Sequence, residues 1–443
     1  MPIEKVPNTS LNYYLIAFDK DGNERDEADG KKLSEQIFTA LANESITDVF
    51  LMSHGWMGDI PAAQKQYNKW IGAMVNQESD IEKIKQLRPG FKPLMIGLHW
   101  PSKPWGDEDL PSSVSFDIND DPIEQLVDEY ADRIGNTEAS RQALRTIFNS
   151  ANEGSETDTL PPEVLTAYQV LNQEANLGSE GEAGAPGSDW EGFDPEGIYE
   201  AARQDEPVSF SVESDSISNA LLEPLRVLSF WKMKERGRQI GENAGFNLLK
   251  ALQEKANPSV RFHLMGHSFG CVVVSSILNG PQGKGTLVRP VNSLALIQGA
   301  VSLWSYCGKI AYEGNRPGYF HQVITQKKVA GPIITTYSEH DYAVGRMYPL
   351  AGKIVFSSVD FAPGQLPKYG GIGSFGLAGD DLGVEEKPML PCDKAYNFQP
   401  GKIYNLNSNQ YIHVLQDKLT IGAHNDIDKP EVAHAVWSAA YAS

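Results

Sequence analysis

Gly266-His267-Ser268-Phe269-Gly270 decides how the rest of the chain is read. An apolar run, Val260 to Met265, precedes it, and Cys271 to Leu278, able to continue as a buried helix, follows. In that strand–turn–helix setting, G-x-S-x-G carries a mechanism. The sharp turn crowds the backbone, and glycines 266 and 270 remove Cβ atoms that would clash. Ser268 Oγ is then presented at the carboxyl end of a parallel strand. The N–H groups opening the next helix face the same way, at the positive end of the helix dipole. Outside that setting the pentapeptide is an ordinary turn with a surface serine.

A serine hydroxyl is a poor nucleophile at neutral pH. It needs a base within hydrogen-bond reach and a carboxylate to orient that base. The order Ser, acid, His is available downstream. Gly331 to Ser338 reads as a strand that runs into Glu339-His340-Asp341. Asp341 is the candidate acid; Glu339, closer to the strand, is expected to face away. Five histidines follow Ser268. His321 and His340 precede the acid, His413 lies near an edge strand and His434 lies inside the last helix. His424, in the loop Gly422 to Ile427, is the candidate base, and Asp426 is expected to steer that loop. The strand Asp48 to Ser53 runs into His54-Gly55-Trp56. Backbone N–H groups of Trp56 and Phe269 are the candidate oxyanion donors, and His54 is expected to order its loop rather than act as a second base.

The remaining elements alternate in type. Leu11 to Phe18 reads as a strand or hairpin, Lys31 to Asn43 and Ala62 to Val75 as helices, and Pro93 to His99 as a strand. Leu221 to Lys255 has apolar residues at helical spacing, with Gly237, Gly241 and Gly245 every fourth residue. Each glycine costs about 1 kcal/mol in a helix interior, so a side-chain-free ridge for close packing is expected. Val291 to Gln298 and Lys402 to Leu406 read as strands, Tyr312 to Lys328 as containing a helical connection, Val355 to Gly383 as loop and Pro430 to Tyr441 as a helix. Alternating strands and helices predict an α/β fold, a mostly parallel sheet with helices on both faces.

Between residues 106 and 223 the character changes. Twenty-eight Asp and Glu stand against 4 Arg and no Lys, a net charge of −24, while the whole chain of 443 residues carries −20. The acidity belongs to this segment. It holds helix-like stretches (Pro122 to Arg133, Ala139 to Asn149, Pro162 to Asn172) and a Gly/Glu/Ser-rich stretch, Gly178 to Gly197, that reads as flexible. The division expected is a core of residues 1–105 and 224–443 with an inserted cap at 106–223.

The charge argues against nucleic acid and against anionic membrane as partners. No apolar run approaches a membrane span. Three cysteines, 271, 307 and 392, form neither a disulfide framework nor a zinc pattern, and no metal is expected. A cytoplasmic location is the default, and oligomeric state is not readable.

These pieces together resemble the α/β-hydrolase fold superfamily: His54-Gly55-Trp56, the pentapeptide 266–270, Asp341 with Val344, and His424, in order and at strand ends. The resemblance implies an eight-stranded, mostly parallel sheet, a Ser–Asp–His triad and no cofactor. The functional expectation is a serine hydrolase cleaving a small-molecule carboxylic ester through an acyl-enzyme on Ser268, with a soluble substrate preferred over a lipid interface. An acyltransferase on the same triad, or a binding module with an acidic docking surface, stands as the alternative.

Overall fold

The computed structural model describes residues 3–27, 30–56, 59–102, 122–153, 158–177, 193–203, 220–312, 316–347, 366–416 and 421–442. The inner strands form on predominantly apolar runs. β1 (Ile3–Lys5) and β2 (Asn12–Ala17) form a hairpin; β3 (Asp48–Ser53), β4 (Pro93–His99), β5 (Arg261–His267), β6 (Ser293–Ile297), β7 (Ile333–Tyr337), β8 (Glu385–Pro388) and β9 (Ile403–Asn407) complete one sheet. Its order is β1-β2-β4-β3-β5-β6-β7-β9-β8. Among the described strands only the β1–β2 pair is antiparallel. The chain therefore folds as a mostly parallel α/β sheet, as the alternation predicts, but with nine strands among the described residues rather than eight. The surplus lies at the two edges. β1 and β8 have three and four residues with alternating exposure, and Glu385-Glu386-Lys387-Pro388 carries no strand signal. Short, charged, proline-bearing strands are how sheets blunt their edges.

Successive side chains of a strand face opposite sides, and the core divides accordingly. Val49 and Leu51 of β3 join one cluster with Leu264 and Leu296. Phe50 and Met52 join the other with Met265 and Ile297. Helices cover both faces. The first face carries α1 (Leu33–Asn43) and the second carries α2 (Ile60–Val75), α3 (Glu78–Leu87) and the C-terminal helix Pro430–Tyr441.

The acidic segment contributes α4 (Pro122–Ile134), α5 (Glu138–Glu153), α6 (Pro162–Ala175) and α7 (Pro195–Arg203). These helices bury Val127, Leu144, Leu171 and Ile198 in the first cluster. α4, α6 and α7 pack on α8 (Glu223–Ile240), and α5 packs on α4 and α6. α8 continues through a π-helical turn, Gly241–Gly245, into α9 (Phe246–Lys255). α8 is buried along most of its length, Lys234 and Glu235 included, while Arg226, Lys232, Arg236 and Arg238 are half-buried and Gln239 is exposed. Its other side meets α10 (Gly270–Asn279), the helix after Ser268. The glycine ridge makes that contact. A Cβ on Gly241 would lie 2.6 Å from the Ser276 Cβ, and one on Gly245 2.5 Å from Ile277 Cγ1.

Residues 178–192, most of the stretch read as flexible, lie outside the described residues, as do 103–121, 204–219 and 351–365. The described part of the loop-like 355–383 includes a short helix, Ile372–Phe375. Among the described residues no helix is long and apolar enough to cross a membrane.

Candidate active site

β5 lies between β3 and β6, so its carboxyl end sits mid-sheet. There the backbone turns at Ser268 with φ +55°, a left-handed conformation that is strained for a residue with a Cβ and is concentrated at functional sites. The turn is pinned from two sides: Ser268 N–H donates to Ile297 O at 3.3 Å, and Ser268 O accepts from Cys271 N and Ala300 N at 3.1 and 3.2 Å. The flanking glycines are required by packing. A Cβ on Gly266 would strike Gly270 O, and one on Gly270 would strike the Ser53 and His54 carbonyls. Phe269 is the residue before α10, where the first N–H groups have no partner within the helix.

The His54 loop closes on the same turn. A Cβ on Gly55 would lie 2.7 Å from Ser268 Cβ. His54 Nδ1 lies 2.8 Å from Gly55 O. A carbonyl only accepts, so Nδ1 carries the proton and Nε2 is the acceptor facing His99 Nδ1 at 3.1 Å. Burial pushes His54 down to about 4, against the pull of the Gly55 carbonyl and Asp59. His99 is also driven well below its ordinary value, by burial and then by His54. Both imidazoles are neutral at pH 7. The bond fixes the Gly55–Trp56 peptide plane. In a trans peptide N–H and C=O point oppositely, so the Trp56 N–H is directed away from His54.

His424 Nδ1 donates to Asp341 Oδ2 at 2.8 Å. Asp341 is 1% exposed and is held by two further donors. Gln298 Nε2 reaches Oδ2 at 2.9 Å and Val344 N–H reaches Oδ1 at 3.0 Å. The acid and base loops are also joined through backbone, Ala423 N–H to His340 O at 2.7 Å. Asp426 accepts from His413 N and Val414 N and pairs with Lys429, which fixes the loop around His424. His267 links the turn to this loop. Its Nε2 donates to His424 O at 3.0 Å and its Nδ1 accepts from Gln66 Nε2 at 3.0 Å. Burial, then the neighbouring His424, holds His267 well below its ordinary value.

Ser268, His424, Trp56 and Phe269 line one cavity of about 310 Å³. Asp341 stands behind His424, outside that lining. None of the described lining residues comes from 106–223. The rival residues lie elsewhere: Glu339 is exposed and bonds Asn409, and His434 is occupied by Asp80 and the Lys394 carbonyl. Cys271 is a fully buried core residue.

Comparison with known protein-family models, with curated proteins and with solved structures gives no match.

Two features have no signature in the sequence. Gln298, fully buried with φ +44°, clamps Asp341 while its own Oε1 accepts from Thr336. A second Ser-His-Asp set also exists. His263 contacts Ser293 Oγ at 2.8 Å and Asp48 Oδ1 at 3.1 Å, and Arg88 pairs with Asp48 at 2.6 Å. It lies at the amino-terminal ends of β3, β5 and β6, all three members are at most 4% exposed, and none lines the cavity. Its geometry alone would pass for catalytic; its burial makes it a structural network.

Proposed function

We propose that this chain is a serine hydrolase of carboxylic esters with an α/β-hydrolase fold, Ser268 as nucleophile, His424 as base and Asp341 as the carboxylate that orients it. The observation that carries the reading is the His424–Asp341 hydrogen bond beside a cavity shared with a left-handed Ser268 at the end of a central strand. Support for the fold comes from the mid-sheet nucleophile turn and from acid and base following in chain order at later strand ends.

Nδ1–H on Asp341 leaves Nε2 of His424 as a proton acceptor. It takes the Ser268 proton as Oγ attacks the ester carbonyl carbon. The carbonyl π pair moves onto oxygen, and the N–H groups of Trp56 and Phe269 stabilise the oxyanion; one such donor is worth about 3 kcal/mol of barrier. Collapse expels the alkoxide, which leaves as alcohol with the proton from His424 Nε2. Water then attacks the acyl-enzyme with His424 again as base, releasing the acid and restoring Ser268. Asp341 stabilises the imidazolium in both halves without taking the proton.

The test is hydrolysis of p-nitrophenyl butyrate by the full chain and by His424→Ala. The expected result is turnover that the substitution lowers by more than about 10³-fold. Equal rates in a variant that keeps its fold contradict the proposal.

A further inference from the structure

The chemistry of the cavity walls divides an ester into two unequal halves. The leaving oxygen must lie next to His424, which protonates it. The neighbours of His424 include the polar Gln66, His267 and Asn425 beside the apolar Ile421. Asn425 is exposed, so this side opens to solvent. The oxyanion belongs at the Trp56 and Phe269 backbone. What is left for the acyl chain is apolar. The rings of Trp56, Phe230 and Phe269 form one wall, with centroids 4.8 to 6.0 Å apart. Ala300, Ala343, Val344 and Ile421 are the other apolar lining residues. Phe230, Phe269 and Val344 are at most 1% exposed. No Asp, Glu, Lys or Arg is among the described lining residues. An acyl group carrying a charge would be desolvated here with no partner. At about 310 Å³ the cavity stands at the small end of ligand pockets, which run from about 300 to 1,000 Å³.

We infer that the site takes esters of small, uncharged, apolar acids, and that it selects the acyl half of the ester while leaving the alcohol half nearly unselected. This rests on the serine-hydrolase proposal. Each methylene buried against the wall is worth a rate gain of about fourfold, whereas an alcohol chain that projects past Asn425 stays in water and gains little.

The experiment uses the full chain, with active sites titrated by a fluorophosphonate so that rates are per labelled serine. One series is p-nitrophenyl acetate, propionate and butyrate with the anionic hemisuccinate; the other is ethyl, butyl and hexyl butyrate. Expected are about fourfold steps in kcat/KM from acetate to butyrate, a hemisuccinate rate at least about tenfold below butyrate, and an alcohol series spanning less than about threefold. Phe230→Ala, which shortens the wall, is expected to move the preference to longer acyl chains; if that variant does not fold, the wild-type series still decides. A labelled, active protein that accepts hemisuccinate as readily as butyrate, or that responds more to the alcohol than to the acyl chain, overturns the inference alone. Absence of both labelling and turnover overturns the hydrolase proposal and the inference with it.

Discussion

Gly55→Ala tests the meeting of the His54 loop with the Ser268 turn. The added methyl would sit 2.7 Å from Ser268 Cβ and 3.3 Å from both His267 O and Ser268 Oγ. Carbon atoms pack at about 3.5 to 4.0 Å, so the two loops must separate by about 1 Å. Overpacking of this kind costs about 1–3 kcal/mol, within the 5–15 kcal/mol that holds a typical domain, and the protein stays folded. The chemistry tolerates less. A misplacement of about 1 Å costs about 10²-fold in rate, and withdrawing one oxyanion donor costs about 10²–10³-fold. Stability by urea unfolding and kcat/KM on p-nitrophenyl butyrate are measured together. Gly72→Ala on α2, where the nearest atom is 3.8 Å away, is the control; it is expected to keep its activity and gain about 1 kcal/mol as a helix-interior glycine replaced by alanine. Gly55→Ala with activity within threefold of wild type refutes the claim that this loop and Ser268 work as one unit.

Two more outcomes follow from the hydrogen bonds. In Asp341→Asn, an amide at the Oδ2 position faces two donors, His424 Nδ1–H and Gln298 Nε2, which forces His424 into the wrong tautomer; in the flipped orientation the amide faces Val344 N–H instead. Ester turnover at neutral pH should fall by about 10⁴-fold, and a loss below tenfold contradicts Asp341's role. His54, buried neutral with its value down at about 4 against 6.5, binds its proton more readily unfolded than folded. Its neutrality costs nothing above pH 6.5; stability is then lost as pH falls from 6.5 towards 4, by about 2 kcal/mol at pH 5. His54→Asn, which keeps a donor to Gly55 O, should lose that much less between pH 7 and pH 5 in urea unfolding, and an unchanged pH dependence contradicts the buried neutral state.

The parts of the fold legible in the sequence are those whose burial is uniform. β3 and β4 are buried along nearly their whole length, so Asp48 to Ser53 and Pro93 to His99 declare themselves as apolar runs. The glycines at 237, 241 and 245 are legible for the opposite reason: three costs in one helix point to a neighbour, and α10 is that neighbour. The acidic segment's charge hides its folding: α7 begins with the buried Pro195 inside the stretch Gly178 to Gly197 that reads as flexible, and buries Ile198 and Tyr199 just beyond it. α3 escapes because, of its ten residues, only Asp80 and Ile84 are buried. At the candidate site, chain order and strand ends single out Ser268, Asp341 and His424, of which His424 bonds Asp341 and lines one cavity with Ser268. Gln298, Gln66 and the bond from His267 to the His424 carbonyl are not singled out in this way, since each joins residues far apart in sequence and depends on which strand ends become neighbours. The set at Asp48, His263 and Ser293 shows the converse: residue types and distances suit catalysis there, but it lies at the amino-terminal strand ends, away from the cavity.

If Ser268 is the activated nucleophile, a fluorophosphonate modifies it covalently, and peptide mass spectrometry locates the adduct. One adduct is expected, on Ser268, abolished in Ser268→Ala and retained in Ser293→Ala. An adduct that persists in Ser268→Ala, or that maps to Ser293, contradicts that role.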